Sequence, residues 1–169
     1  NPNATPDAKY KALAKGAVSG GAHGLYAFQS PDGLRWTPMN NSKPVMTGHA
    51  FDTQNIAFWD SRIGKYRSFV RDFDGKIRGI RTATSKDLVN WTRRDWLEYP
   101  GTPVEQLYTN QILPYYRAPH LLIGFPVRYV DRGWVPGTRR LPSLKQREQR
   151  SRSNKRYGSA VTDTVLMTS

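Results

Sequence analysis

The 169-residue chain carries 26 Lys and Arg against 13 Asp and Glu, a formal net charge of +13, with 37% hydrophobic and 12% aromatic residues and no Cys. That aromatic and apolar content belongs to a globular chain and excludes a disordered one. The absence of Cys excludes disulfides, thiolate metal ligands and Cys nucleophiles, and no run approaches the ~18 apolar residues of a membrane span.

In chain order, Asn1 to Ala8 is polar and Pro-rich, and the first strand text is Lys9-Tyr10-Lys11-Ala12-Leu13-Ala14-Lys15. It returns 56 positions later as Lys65-Tyr66-Arg67-Ser68-Phe69-Val70-Arg71. The turn text Ser30-Pro31-Asp32-Gly33-Leu34-Arg35-Trp36-Thr37 returns 55 positions later as Ser85-Lys86-Asp87-Leu88-Val89-Asn90-Trp91-Thr92. Gln54-Asn55-Ile56-Ala57-Phe58-Trp59-Asp60 is echoed by Asn110-Gln111-Ile112-Leu113-Pro114-Tyr115-Tyr116. Periods of this size mark stacked supersecondary units.

Within a unit the apolar runs are short, rich in Tyr, Phe, Val, Ile and Trp, and bounded by Gly, Asp, Asn and Pro. The second unit reads as an inner strand over 54–59, a hairpin turn over 61–65, strands over 66–71 and 77–84, and an outer strand after the Ser-x-Asp turn whose Trp91 packs back on its neighbour. No stretch holds helical periodicity for the ~10 residues a helix needs. The expectation is an all-β chain: about two and a half four-stranded antiparallel blades of a β-propeller, a fragment of a larger parent of at least four blades, whose missing blades would be its first partner. The blades divide at 1–48, 49–101 and 102–169. From Ser85 to Ser169 is 84 positions where the preceding repeat took 55, so an insertion of 29 residues is expected at about 128–157. Eight basic residues between Arg139 and Arg156 face one acid, Glu148. This is a solvated loop or short polar helix, an anion site, or a clamp onto another part of the protein; nucleic acid is disfavoured because only Tyr157 adjoins the run.

In a propeller, inner-strand starts and the loops joining strands two and three open on one face. His23, His49, Asp52, Gln54 and Asn55 are expected there, with Glu105, Tyr108, Asn110 and Gln111. Arg71, Asp72, Asp74, Arg128, Asp131, Arg132 and Asp163 join them. Converging carboxylates are what glycoside hydrolysis requires, since one protonates the leaving oxygen and the other activates water or attacks the anomeric carbon. Asp32 and Asp87 read as turn formers instead. The three His lack metal-ligand spacing, and no cofactor or metal is expected.

The text Phe51-Asp52-Thr53-Gln54-Asn55-Ile56-Ala57-Phe58-Trp59-Asp60, with Gly64-Lys65-Tyr66 and Thr82 to Thr92, resembles the five-bladed propeller glycosidases of families 32 and 43. The segment from Leu107 to Val130 is similar to bacterial proteins of the family 32 N-terminal-domain or sialidase-like kind. The resemblance covers nearly the whole chain. It implies a secreted or periplasmic glycosidase with a carbohydrate substrate and three acids on successive blades, the first preceding this sequence. The family's second and third acids fall on Gln54 and near Tyr108; Asp52 and Glu105, two and three residues earlier, are the acidic pair a strand bulge would restore. Gln54, Asn55, Arg71, Asp72, Tyr108, Asn110, Gln111, Arg128, Asp131 and Asp163 are then the candidate substrate ligands. A non-catalytic carbohydrate-binding or scaffold propeller and a polyanion-binding module are the alternatives.

Overall fold

The structure is a computed structural model that describes residues 1–16, 22–48 and 50–169. The predicted His49 lies outside the described residues, as does most of the Gly-rich stretch from Gly16 to Gly24. The described chain is mostly β, in four small antiparallel sheets, none of them closed.

The first sheet holds β1 (Tyr10–Gly16), β2 (Gly24–Ser30) and β3 (Thr37–Pro38) in sequence order. The second is a four-stranded meander of β4 (Ile56–Asp60), β5 (Lys65–Asp74), β6 (Ile77–Ser85) and β7 (Asp95–Trp96). The inner strand starts at Ile56, later than 54, because Gln54 and Asn55 spend their side chains on neighbouring backbone. The outer strand is Asp95–Trp96, while Trp91 makes only an isolated bridge to Ser85. Gly75, at φ 59°, supplies the left-handed residue of the tight turn joining β5 to β6.

The last third supplies two three-stranded sheets. β8 (Gln106–Leu107) pairs with β11 (Val127–Val130), which pairs with β12 (Val161–Thr164); β9 (Ile112–Tyr115) pairs with β10 (Ala118–Gly124), which pairs with β13 (Met167–Thr168). The strands β10 and β11 are one path interrupted at Phe125-Pro126, where Pro has no N–H to give a ladder. Between β11 and β12 lie two helices, α1 (Pro136–Arg140) and α2 (Leu144–Ser153). The insertion therefore contains helix that the apolar pattern gave no sign of, since no residue of α2 is buried. No helix among the described residues is long and apolar enough to cross a membrane.

Strand β5 organises the core because both its faces are covered. Tyr66 and Val70 point one way, into clusters with Leu88, Ala27, Leu25, Met46 and Phe51 that join the second sheet to the first. Phe69 points the other way, to Ile80, Leu107 and Ile112, joining the second sheet to the last two. Each such side chain contributes roughly 1.5–3 kcal/mol on burial.

The repeat is reproduced bond for bond. Ser30 Oγ donates to Asp32 Oδ1 at 3.0 Å and accepts from the N–H of Asp32 and Gly33 at 3.3 and 2.8 Å. Asp32 Oδ1 accepts from the N–H of Leu34 and Arg35, both at 2.8 Å, and Trp36 Nε1 donates to the Gly33 carbonyl at 3.1 Å. In the second copy the same six bonds, made by Ser85, Asp87, Leu88, Val89, Asn90 and Trp91, measure 2.9, 3.2, 2.9, 2.8, 2.7 and 3.0 Å. The residue after Lys86-Asp87, Leu88, keeps the left-handed φ of its counterpart, 69° against 77° at Gly33, and is buried where Gly33 meets the ring of Tyr10.

Candidate functional site

The end of the second sheet where β5 turns into β6 meets the start of the third unit. Phe69, Arg71 and Phe73 share one face of β5, and their cross-strand partners Thr82, Ile80 and Arg78 share the same face of β6. Arg71 and Arg78 are only 3% and 6% exposed. The guanidinium of Arg71 lies 4.7 Å from the Phe73 ring centre and 5.3 Å from that of Tyr108; Arg78 lies 5.3 Å from Phe73, 5.5 Å from Tyr108 and 4.6 Å from Tyr129. Tyr108 and Tyr129 stack at 6.3 Å and 29°. Cations and rings therefore alternate in one continuous array, the arrangement in which desolvated cation–π contacts are strongest.

Polar partners border the array. Asp52 accepts a hydrogen bond from Arg71 Nη2, and Gln106 Oε1 accepts one from Arg78 Nη1. The Nε atoms of both arginines are buried without a partner. Burial, and then the positive charges of Arg156 and Arg71, push Arg78 below the usual guanidinium range. Burial likewise pushes Tyr129 up.

Beside the array, Arg128 bridges two acids. Its Nη1 donates to Glu105 Oε1 at 2.6 Å, while its Nε and Nη2 grip Asp163 at 2.8 and 2.6 Å. Arg128 and Asp163 are direct cross-strand partners on β11 and β12. The hydrogen bond from Arg128 holds Asp163 below the usual carboxylate range, and the bonds to Asp163 and Glu105 hold Arg128 above its own. Glu105 and Arg78 also line a cleft of about 660 Å³ whose walls include Trp96, Tyr99, Asp74 and Glu98.

The structure separates the other expected ligands. Asp72 follows Arg71, but strand alternation sends it to the opposite face, where it pairs with Arg81 Nε at 2.7 Å; the guanidinium of Arg81 stacks 3.9 Å from Trp96. Asn110 is fully buried and donates to the carbonyls of Gln54 and Phe69, both at 3.1 Å. Gln54 Oε1 accepts the Gln111 N–H at 3.0 Å, and Asn55 donates to the carbonyls of Phe51 and Thr53, both at 3.0 Å. Asn110, Gln54 and Gln111 tie the starts of the second and third units together, while Asn55 fixes the backbone just ahead of β4. Asp131 is exposed just beyond β11. His23 and His120 are exposed, and no group of three or more His, Cys, Asp or Glu able to hold a metal occurs among the described residues.

Arg78, Gln106 and Tyr129 were not among the expected ligands. A signal for Arg78 existed: it shares the strand parity of Ile80, so a charge falls on the apolar face.

No protein-family profile matches the chain. No curated protein is significantly similar to it. Among solved structures it is similar to an N-acetylgalactosamine deacetylase from F. plautii in complex with blood group B trisaccharide, at a TM-score of 0.51 and 14% identity, over 94% of this chain and 45% of that one. At this identity the likeness concerns the fold. The chain spans less than half the length of that protein.

Proposed function

We propose that this chain is part of a carbohydrate-acting β-propeller, a glycoside hydrolase in its most specific form, with Asp52 and Glu105 as the acidic pair. The two complete copies of the Ser-Asp-Trp turn support the propeller, with a first partial unit over 1–48, a complete one over 49–101 and a third over 102–169. The observation that carries the function is the cleft shared by Glu105 and Arg78, walled by Trp96 and Tyr99 beside the ring array. Such a site offers hydrogen-bond donors and acceptors for hydroxyls and flat apolar faces for a sugar ring. The deacetylase with its bound trisaccharide shares the fold and is compatible with a sugar ligand here.

In this reading Arg71 orients Asp52 and Arg128 orients Glu105, and the substrate draws the arginines toward its own oxygens as it enters. One carboxyl then protonates the leaving oxygen and the other activates water or attacks the anomeric carbon.

A second reading, a binding propeller without turnover, is favoured by one observation: each of the two acids is already engaged by an arginine. A reducing-sugar release screen over fructans, arabinans, xylans and acidic glycans, run on the full-length protein with Asp52→Asn and Glu105→Gln beside it, separates the two. Release lost in either variant establishes hydrolysis at these acids, and release kept in both removes them from the chemistry. Glycan binding without release selects the second reading.

A further inference from the structure

The segment between β11 and β12 is an ordered unit. Arg147 on α2 donates to the carbonyls of Leu141, Pro142 and Gly158 at 2.7, 2.9 and 3.0 Å, closing both ends of the segment onto the helix. Thr138 Oγ1 is buried and bonds to the Gly133 and Val135 carbonyls, both at 3.0 Å. Trp134 has the guanidiniums of Arg139 and Arg147 at 5.3 and 5.4 Å.

With Arg147 used internally and Arg139 paired to Glu148 at 3.4 Å, the remaining cations stand outward. Arg140, Lys145, Arg150, Arg152 and Lys155 are exposed, and no carboxylate among the described residues pairs with them. Lys145 and Arg152, seven residues apart, share one stripe of α2, and Arg150 stands on the far side of the same helix, so the positive charge surrounds it. The segment leaves the sheet at Val130 and returns at Val161, two residues from each of the bridged partners Arg128 and Asp163. On the way back Arg156 acts electrostatically on both Arg78 and Tyr129. The arm therefore departs and returns beside the Arg128–Asp163 bridge, whose third member, Glu105, lines the cleft.

We propose that residues 131–160 are an anion-binding arm of the sugar face, and that the ligand is an acidic polysaccharide bearing carboxylate or sulfate groups. This rests on the carbohydrate reading above. The arm supplies positive charge along α2, and its two ends join the sheet at the Arg128–Asp163 bridge beside the cleft. An acidic polysaccharide fits better than nucleic acid because both rings of the arm are already engaged, Trp134 by the guanidiniums of Arg139 and Arg147 and Tyr157 by that of Arg156 at 5.9 Å, which leaves no unoccupied stacking platform on it.

The test measures binding of the full chain to polygalacturonate, heparin, neutral dextran and single-stranded DNA at two or more salt concentrations. A Lys145→Glu/Arg150→Glu/Arg152→Glu variant is measured beside it, with Arg150→Gln/Arg152→Gln as a milder substitute should the first not fold. The expected result is binding to one or both charged glycans, a salt slope lowered by about 2 in the charge-reversed variant and affinity at low salt falling by at least ~10-fold. Binding to polygalacturonate supports the arm with carboxylates alone, and binding to heparin without polygalacturonate supports it with sulfates required. Charged-glycan binding unchanged in the variants overturns the arm, and dextran bound as tightly as the charged glycans overturns the acidic class; both leave the carbohydrate reading standing. DNA bound as tightly as the glycans overturns the ligand class, and no glycan bound at all overturns the carbohydrate reading with it.

Discussion

Arg71 and Arg78, on neighbouring strands of one sheet, face the same two rings, Phe73 and Tyr108, and both are buried. Two like charges withdrawn from water with one carboxylate between them cost stability, because desolvation is only partly offset. An arrangement that opposes folding and is nonetheless fully assembled points to a role in binding.

Arg78→Met tests this cost directly. The Met stem keeps the packing between the rings while removing a charge that burial, Arg156 and Arg71 all disfavour. The urea midpoint is expected to stay level or rise, and glycan affinity to fall at least ~10-fold, since a buried charged donor is worth about 1.5–3 kcal/mol to its acceptor. A fall in both would make Arg78 a structural residue.

Asn110→Ala is expected to destabilise by about 2–4 kcal/mol in urea unfolding, because it leaves the carbonyls of Gln54 and Phe69 without their donor and opens a small void. Exposed Leu34→Ala, its control, should fall within about 0.5 kcal/mol of the parent.

Asp87 carries a pH dependence. Partial burial raises its pKa, but the backbone N–H and side chain of Asn90, the N–H of Val89 and the Ser85 hydroxyl outweigh that and bring it from 3.8 to about 2. The folded value lies below the unfolded one, so the stabilisation is complete above the unfolded pKa of 3.8 and is lost as pH falls through about 2. In acid-dependent unfolding, the gap between the parent and Asp87→Asn should be constant above about pH 5 and close toward pH 2. A gap that persists at the lowest pH would detach the effect from ionisation.

Gly158→Ala should loosen the arm selectively. At φ 92° an added Cβ would sit 2.3 Å from the Arg147 carbonyl oxygen, so both the backbone conformation and the Arg147 clamp are lost. Limited proteolysis is expected to cut the variant within 131–160 while the sheets remain intact; equal resistance in parent and variant would contradict the clamp.

The repeated text carried much of the local structure. The matched Tyr66–Arg71 run is within β5, the matched Ser-Asp-Trp blocks form the same six bonds, and the long interval before Ser169 corresponds to the segment that holds α1 and α2. Less of the site was legible. Asn110 and Gln54 read as ligands because they are polar residues at strand starts, and only the three-dimensional neighbourhood reveals that their hydrogen bonds go to backbone. Asp72 sits beside Arg71 in sequence, and the pleat separates them. For the basic run a short polar helix was one of the readings open, and α2 is such a helix; without a buried face it has no apolar period to separate it from a loop.

The position of the arm has an evolutionary consequence. The connection between β5 and β6 is the pair Gly75-Lys76, while the corresponding connection between β11 and β12 runs over 131–160. Within β5, adding or deleting one residue would exchange Arg71 with Asp72 and Phe69 with Val70 across the sheet, disrupting both cores at once. The hairpin connection has no such constraint, since lengthening a loop costs little entropy. Added length is therefore tolerated best at this connection, where new side chains leave the strands beneath undisturbed.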